Sequence, residues 1–136
     1  MSPPRLVVDS NVIISAVFFG GPPARVLQQV IGGAAAAFIS LEILDEIREV
    51  VQRPKFGLTP EQALLLIEEL THVCHVVEPK TAVQEIKDDP DDNAVLACAL
   101  EAGAALIVTG DAHLLNLKEW KGIRILAPAE ALNEMD

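Results

Sequence analysis

Short aliphatic runs alternate along this chain with stretches in which apolar positions recur every three or four residues. The runs at 6–8, 37–39, 74–77, 106–109 and 123–126 have the length and β-branched content of buried strands. The periodic stretches at 11–18, 24–31, 41–52, 60–73, 90–102 and 128–134 read as helices, and 112–115 as a helical turn. Local chemistry sets the boundaries. Ser40 is placed to cap the third helix, which Pro54 stops, and Thr59 caps the fourth with Pro60 at its first position. Asp89 caps and Pro90 begins the helix that Gly103 ends, while Gly32-Gly33 closes the second. Gly20-Gly21-Pro22-Pro23 reads as a turn and 81–87 as a connecting loop. Strands alternating with helices imply right-handed crossovers. The expected fold is therefore α/β, a three-layer α/β/α sandwich on a mainly parallel sheet of about five strands, with residues 1–136 forming one domain.

Composition sharpens this picture. Hydrophobic residues make up 51% of the 136 and aromatic residues only 4%, so the core must be filled by Ala, Val, Ile and Leu, as between helices and a parallel sheet. The formal charge of −10 argues against a protein that coats nucleic acid with its whole surface, because phosphate binding is driven by Lys and Arg. It leaves room for a nuclease whose local negative charge is offset by divalent ions. The two cysteines, Cys74 and Cys98, form no CxxC pair, and His75 next to Cys74 would fall on the opposite strand face, so His72 and His75 make poor zinc ligands and no structural zinc site is expected. The longest apolar segment, 94–108, is broken by Glu101 and Gly103 and falls short of the roughly 20 residues of a membrane span. The opening residues provide no signal-peptide core, and a soluble, cytoplasmic protein without membrane association is expected.

Four acids carry the candidate chemistry. Asp9 and Asp111 each follow a strand, the end at which open α/β sheets bind ligands. Asp92 stands three and four residues before Val95 and Leu96, in the middle of the apolar stripe completed by Ala99, so its carboxyl is aimed at the core. Asp88, Asp89 and Asp91 are read instead as cap, dipole partners or outer groups. Ile43, Leu44, Ile47, Val50 and Val51 define the buried face of the third helix, and among its acids Glu46 lies nearest the edge of that face. Carboxylates gathered in one cleft repel unless a cation offsets them, and hard ions such as Mg²⁺ or Mn²⁺ prefer such oxygens. Asp9, Glu46, Asp92 and Asp111 are thus candidate metal and catalytic residues. The hydroxyls of Ser10 and Thr109 and the amides of Asn11 and Asn93 are candidates to hold ligands or water from behind.

Four segments together resemble the PIN domain family, and within it the bacterial and archaeal toxin components of toxin–antitoxin systems. They are Asp9-Ser10-Asn11-Val12 after the first strand, the helix containing Glu46, Asp88-Asp89-Pro90-Asp91-Asp92-Asn93, and Val108-Thr109-Gly110-Asp111 leading to His113-Leu114-Leu115. The resemblance covers nearly the whole chain. It implies a metal-dependent ribonuclease with its acids at Asp9, Glu46, Asp92 and Asp111, frequent dimerisation, and a cognate antitoxin that blocks the site. The net acidity departs from what an RNA-binding surface carries. Arg53 and Lys55 are candidate phosphate contacts, Arg53 falling seven residues after Glu46 on nearly the same face if the helix continues that far. His113 is near the pocket in sequence, read mainly as a helical-turn residue with a substrate contact as the alternative.

Two other functions fit parts of the pattern. A PIN-fold interaction or RNA-binding module with little turnover would suit the negative surface. A phosphatase or receiver-like domain forming an aspartyl phosphate would use Asp9, but its partner acids are missing, with Ser10 and Asn11 in their places. No phosphate-cradling GxGxxG or GxxxxGK[ST] occurs. One Trp and no Tyr leave few base-stacking platforms, and of the adjacent Phe18 and Phe19 one is expected to face a partner surface.

Overall fold

A computed structural model describes residues 2–87 and 89–135. The chain runs β1 (Arg5–Val8), α1 (Ser10–Phe18), α2 (Gly21–Ile31), β2 (Ala36–Ser40), α3 (Leu41–Val51), α4 (Pro60–Val73), β3 (His75–Val77), α5 (Pro90–Ala102), β4 (Leu106–Val108), α6 (Ala112–Leu117), β5 (Glu119–Trp120), β6 (Ile123–Leu126) and α7 (Pro128–Met135). The strands form one sheet in the order β3-β2-β1-β4-β6-β5, parallel except for β5 against β6. This is the expected α/β sandwich, with one strand more. Among the described residues no helix is long and apolar enough to cross a membrane.

The helix caps form as the sequence predicts. The Ser40 hydroxyl accepts from Ile43 N, and Thr59 with Gln62 completes a reciprocal capping box. Asp89 accepts from Asp92 N, and Gly103 ends α5 in the left-handed conformation. Asp88 lies outside the described residues. The Gly20 to Pro23 segment departs from the turn reading, because α2 already begins at Gly21. Pro22 and Pro23 fit its first turn, where a missing N–H costs nothing. Strand β3 begins at His75 because Cys74 is still the cap of α4. The additional strand β5 exists because Lys121 and Gly122, both with positive φ, make a two-residue hairpin that folds Trp120 back against Ile123.

The core is aliphatic, as the composition requires. Val7, Ile39, Ile47, Leu96 and Ile107 are fully buried between the sheet and its helices. Chain order places β2 and β3 on one side of β1, and β4 with β6 on the other. The sheet therefore changes winding direction between β1 and β4, and the carboxyl ends of those two strands flank the crevice where such sheets bind ligands.

Candidate metal centre

Asp9 follows β1 and Asp111 stands three residues beyond β4, on either side of that crevice. Asp9 holds the N-cap position of α1, yet its side chain makes no capping hydrogen bond. Its carboxylate instead accepts from Thr109 Oγ1 at 2.7 Å and from Ser10 Oγ at 3.3 Å. The Thr109 hydroxyl in turn accepts from Asp111 N at 3.0 Å, so one buried side chain ties the two strand ends together. Thr109 and Ser10 thus both contact the Asp9 carboxylate. Asp111 is also a cap, its Oδ1 accepting from His113 N and Leu114 N.

Asp92 projects from the inward face of α5 beside Val95, Leu96 and Ala99, as the stripe predicts, and is only 5% exposed. Its Oδ2 is buried without a hydrogen-bond partner among the described residues. A buried acceptor left unsatisfied is costly, and a cation would satisfy it. Ligand atoms of Asp89, Asp92, Asp111 and His113 lie within 4.8 Å of one another. His113 Nδ1 stands 3.6 Å from Asp89 Oδ2 and 3.9 Å from Asp92 Oδ2. Asp89 and His113 are therefore closer to the centre than the sequence reading put them. Asp89 performs the capping role expected of it with Oδ1 while its other oxygen faces His113.

Glu46 is half-buried while Glu42, Asp45 and Glu49 on the same helix are exposed, so it is the acid of α3 turned to the core edge. Burial raises its carboxyl to about 7, opposed by the Ser10 hydroxyl and reinforced by the charges of Asp91, Asp9 and Asp89. Burial likewise raises Asp92 to about 8, with Asp111 and Asp89 adding to the effect. Asp9 is raised too, chiefly by burial, although the Thr109 hydrogen bond opposes this. Acids raised by burial and by one another's charge are common at functional centres. Oxygen donors, mutual repulsion and the orphaned Asp92 Oδ2 together fit a hard divalent cation.

Four other candidates stand apart. Asn93 gives its whole amide to the loop before α5, donating to Ile86 O at 2.7 Å and accepting from Ile86 N at 2.8 Å, so it braces main chain instead of facing the acids. Asn11 is exposed on α1. Arg53 fails the condition attached to it, because α3 ends at Val51 and the Arg53 guanidinium turns back to Glu49 at 3.2 Å. Lys55 is exposed and lies over the Phe56 ring, 5.4 Å from its centroid. Phe18 packs against the core and against Phe56 while Phe19 is 69% exposed, so Phe19 is the outward member of the pair.

A sequence profile described as PIN domain matches residues 5–113, a span that includes every acid above. The chain belongs to the PIN domain family. No curated protein sequence matches it significantly. Among solved structures the chain is similar to VapBC2 from Rickettsia felis bound to a DNA fragment from their promoter, with a TM-score of 0.64 and 12% identity over 89% of this chain and 96% of that one. It is also similar to VapBC-1 from nontypeable Haemophilus influenzae, with a TM-score of 0.65 and 15% identity over 92% of this chain and 98% of that one. At these identities the likeness is one of fold, and it agrees with the sandwich described above.

The linkage through Thr109 gives this PIN domain a testable weak point. Thr109→Val keeps the buried volume but removes the hydroxyl that holds Asp9 and receives Asp111 N. Metal affinity should fall by about 10–100-fold, the usual effect of removing a group that orients a ligand, as measured by calorimetric titration with Mn²⁺.

Proposed function

We propose that this PIN domain is a divalent-metal-dependent endoribonuclease, with Asp9, Asp92 and Asp111 as the metal-holding carboxylates and Glu46 as their partner across the crevice. The observation that carries the reading is the buried, unpartnered Asp92 Oδ2 beside Asp111 at the sheet's change of winding direction. When bound there, Mg²⁺ or Mn²⁺ supplies a water of lowered pKa for in-line attack on a phosphodiester and countercharge for the departing oxygen.

The protein's own groups do the rest. Thr109 and Ser10 fix the rotamer of Asp9 from behind. The Asp111 cap holds the start of α6 rigid against the site. Glu46, poised at about 7, is matched to accept a proton at its carboxylate near neutral pH, where acid–base transfer is most effective. His113 Nδ1 faces the carboxylates of Asp89 and Asp92 and is placed to orient them. Asn11, Asn93, Arg53 and Lys55 receive no part in this scheme.

The substrate is RNA, and the biological setting is a toxin–antitoxin pair in the cytoplasm. The chain would act as a homodimer, with a cognate antitoxin closing the site. The fold shared with the two VapBC structures and the family membership support this setting. Purified protein should cut single-stranded RNA internally in the presence of Mg²⁺ or Mn²⁺, and EDTA or Asp9→Asn should stop it, followed by gel analysis of labelled fragments. Cleavage that persists equally in Asp9→Asn would remove the nuclease assignment to this site.

A further inference from the structure

The connection from β3 to α5 forms a strap across the outward face of α5, and a cleft of about 760 Å³ opens beneath it. The strap is pinned at three places. Lys80 N donates to Glu101 Oε1, Trp120 Nε1 donates to Glu85 Oε1, and Ile86 is held at both main-chain atoms by Asn93. The α5 face below is built from small residues, Ala94 and Ala97, which is why a hollow remains. Its volume lies within the range of small-molecule pockets, and a cleft held open in advance costs little ordering on binding.

The cleft begins at the metal centre. Asp89 lines it and also belongs to the carboxylate cluster with Asp92 and Asp111. Glu42, in the first turn of α3, adds a second acid to the lining. From Pro90 to Glu101 the helix beneath spans about 16 Å. The strap places Lys80 and Lys87 on the lining, two of only ten Lys and Arg residues in a chain of formal charge −10. Thr81 and Gln84 add hydrogen-bonding side chains, and Ala82, Val83 and Ile86 add apolar surface. Cations on the wall, amide and hydroxyl groups, and a shallow apolar floor together suit a nucleotide, with its phosphates on the lysines and its base against the alanines.

We infer that the cleft between the 79–87 strap and α5 is the RNA-binding subsite that holds a nucleotide flanking the scissile phosphate. This rests on the ribonuclease reading above, and it places two of the chain's few cations, Lys80 and Lys87, in a cleft that shares Asp89 with the acidic cluster.

The test uses the full chain and two variants, Lys80→Gln/Lys87→Gln and Ala97→Phe, which leave the metal-centre acids in place. Binding of a fluorescent single-stranded hexaribonucleotide is measured in EDTA, and turnover of bis(4-nitrophenyl) phosphate, a diester without base or flanking phosphate, is measured with Mn²⁺. The double lysine variant should bind the oligonucleotide about tenfold more weakly, with the slope of log affinity against log salt shallower by about 1.4, as expected for two lost phosphate contacts to a single strand. Ala97→Phe should weaken binding without changing that slope, and both variants should turn over the small diester at the wild-type rate. Wild-type affinity and slope in both variants, with cleavage intact, would overturn the subsite and leave the nuclease standing. The predicted losses of binding in a protein that cleaves neither substrate would uphold an RNA site here and remove the nuclease reading instead. If Ala97→Phe converts a dimer to a monomer in sedimentation with RNA affinity unchanged, the cleft is an interface between copies and the subsite falls.

Discussion

Replacing Asp92 with Asn should lower RNA cleavage by on the order of 10²–10³-fold, the scale seen when one preorganised charge-stabilising group is removed from an active centre. The substitution keeps the shape of the side chain and removes the charge that the proposed cation needs. It should not unfold the protein. Asp92 is buried with an unpartnered Oδ2 beside Asp89 and Asp111, so in the absence of metal a neutral amide stands in for the protonated acid below about pH 8, relieves repulsion above it, and can donate to those carboxylates. The metal-free variant should therefore melt at or above the temperature of the metal-free wild type, while the rise in melting temperature produced by Mn²⁺ should be lost. Calorimetric melting of both proteins with and without Mn²⁺ separates this outcome from simple misfolding. A variant that melts far below wild type in EDTA would show that Asp92 is a structural group.

Stability and metal binding should respond to pH in opposite directions. The carboxyls of Asp92 and Glu46 lie at about 8 and about 7 in the folded chain, against 3.8 and 4.5 as ordinary values, in both cases chiefly through burial. Between the ordinary and the raised values the unfolded chain has released these protons and the folded chain still holds them. The folded state binds more protons throughout that interval, so metal-free stability is greatest near pH 4 and declines as pH rises through about 7 and 8. A cation must displace the same protons. Apparent Mn²⁺ affinity should accordingly rise by about tenfold per pH unit for each group still protonated, and level off above about pH 8. Thermal melting across pH 5 to 9, with and without Mn²⁺, should give curves that diverge as pH increases. Parallel curves would mean that these acids do not exchange protons for metal.

The way the site was legible from sequence follows from how local each signal is. The helical period alone places Asp92 among Val95, Leu96 and Ala99, and the structure buries it there. The same period separates Glu46, half-buried, from the exposed Asp45 and Glu49. Caps at Ser40, Thr59 and Asp89 depend on three or four neighbouring residues and are found as expected. Features that depend on distant chain segments were harder to read. The meeting of Asp89 with His113 requires α5 and α6 to approach from different strands, and no spacing in the sequence encodes it.

Arg53 shows the converse error. Its alignment with Glu46 assumed two further helical residues, but α3 ends at Val51, and the nearby Glu49 carboxylate captures the guanidinium. Asn93 sits next to Asp92 in sequence, yet a turn of about 100° along the helix sends it to the strap, where it holds Ile86. Strand β5 is two residues long, too short for any period to reveal, although Lys121-Gly122 before the 123–126 run is the kind of pair that makes a tight hairpin. The cleft between the 79–87 strap and Ala94 and Ala97 likewise depends on the packing of distant segments, and no spacing in the sequence encodes it.

Carboxylates far apart in sequence are proposed to form one cation-binding cup at the β1/β4 crevice. Anomalous diffraction from a crystal soaked in Mn²⁺ tests it most directly. A peak is expected about 2.0–2.3 Å from carboxylate oxygens of both Asp92 and Asp111, near the usual distance for a hard divalent ion. With saturating Mn²⁺ and the cluster intact, a map without a peak there, or with its only peak elsewhere on the surface, would contradict it.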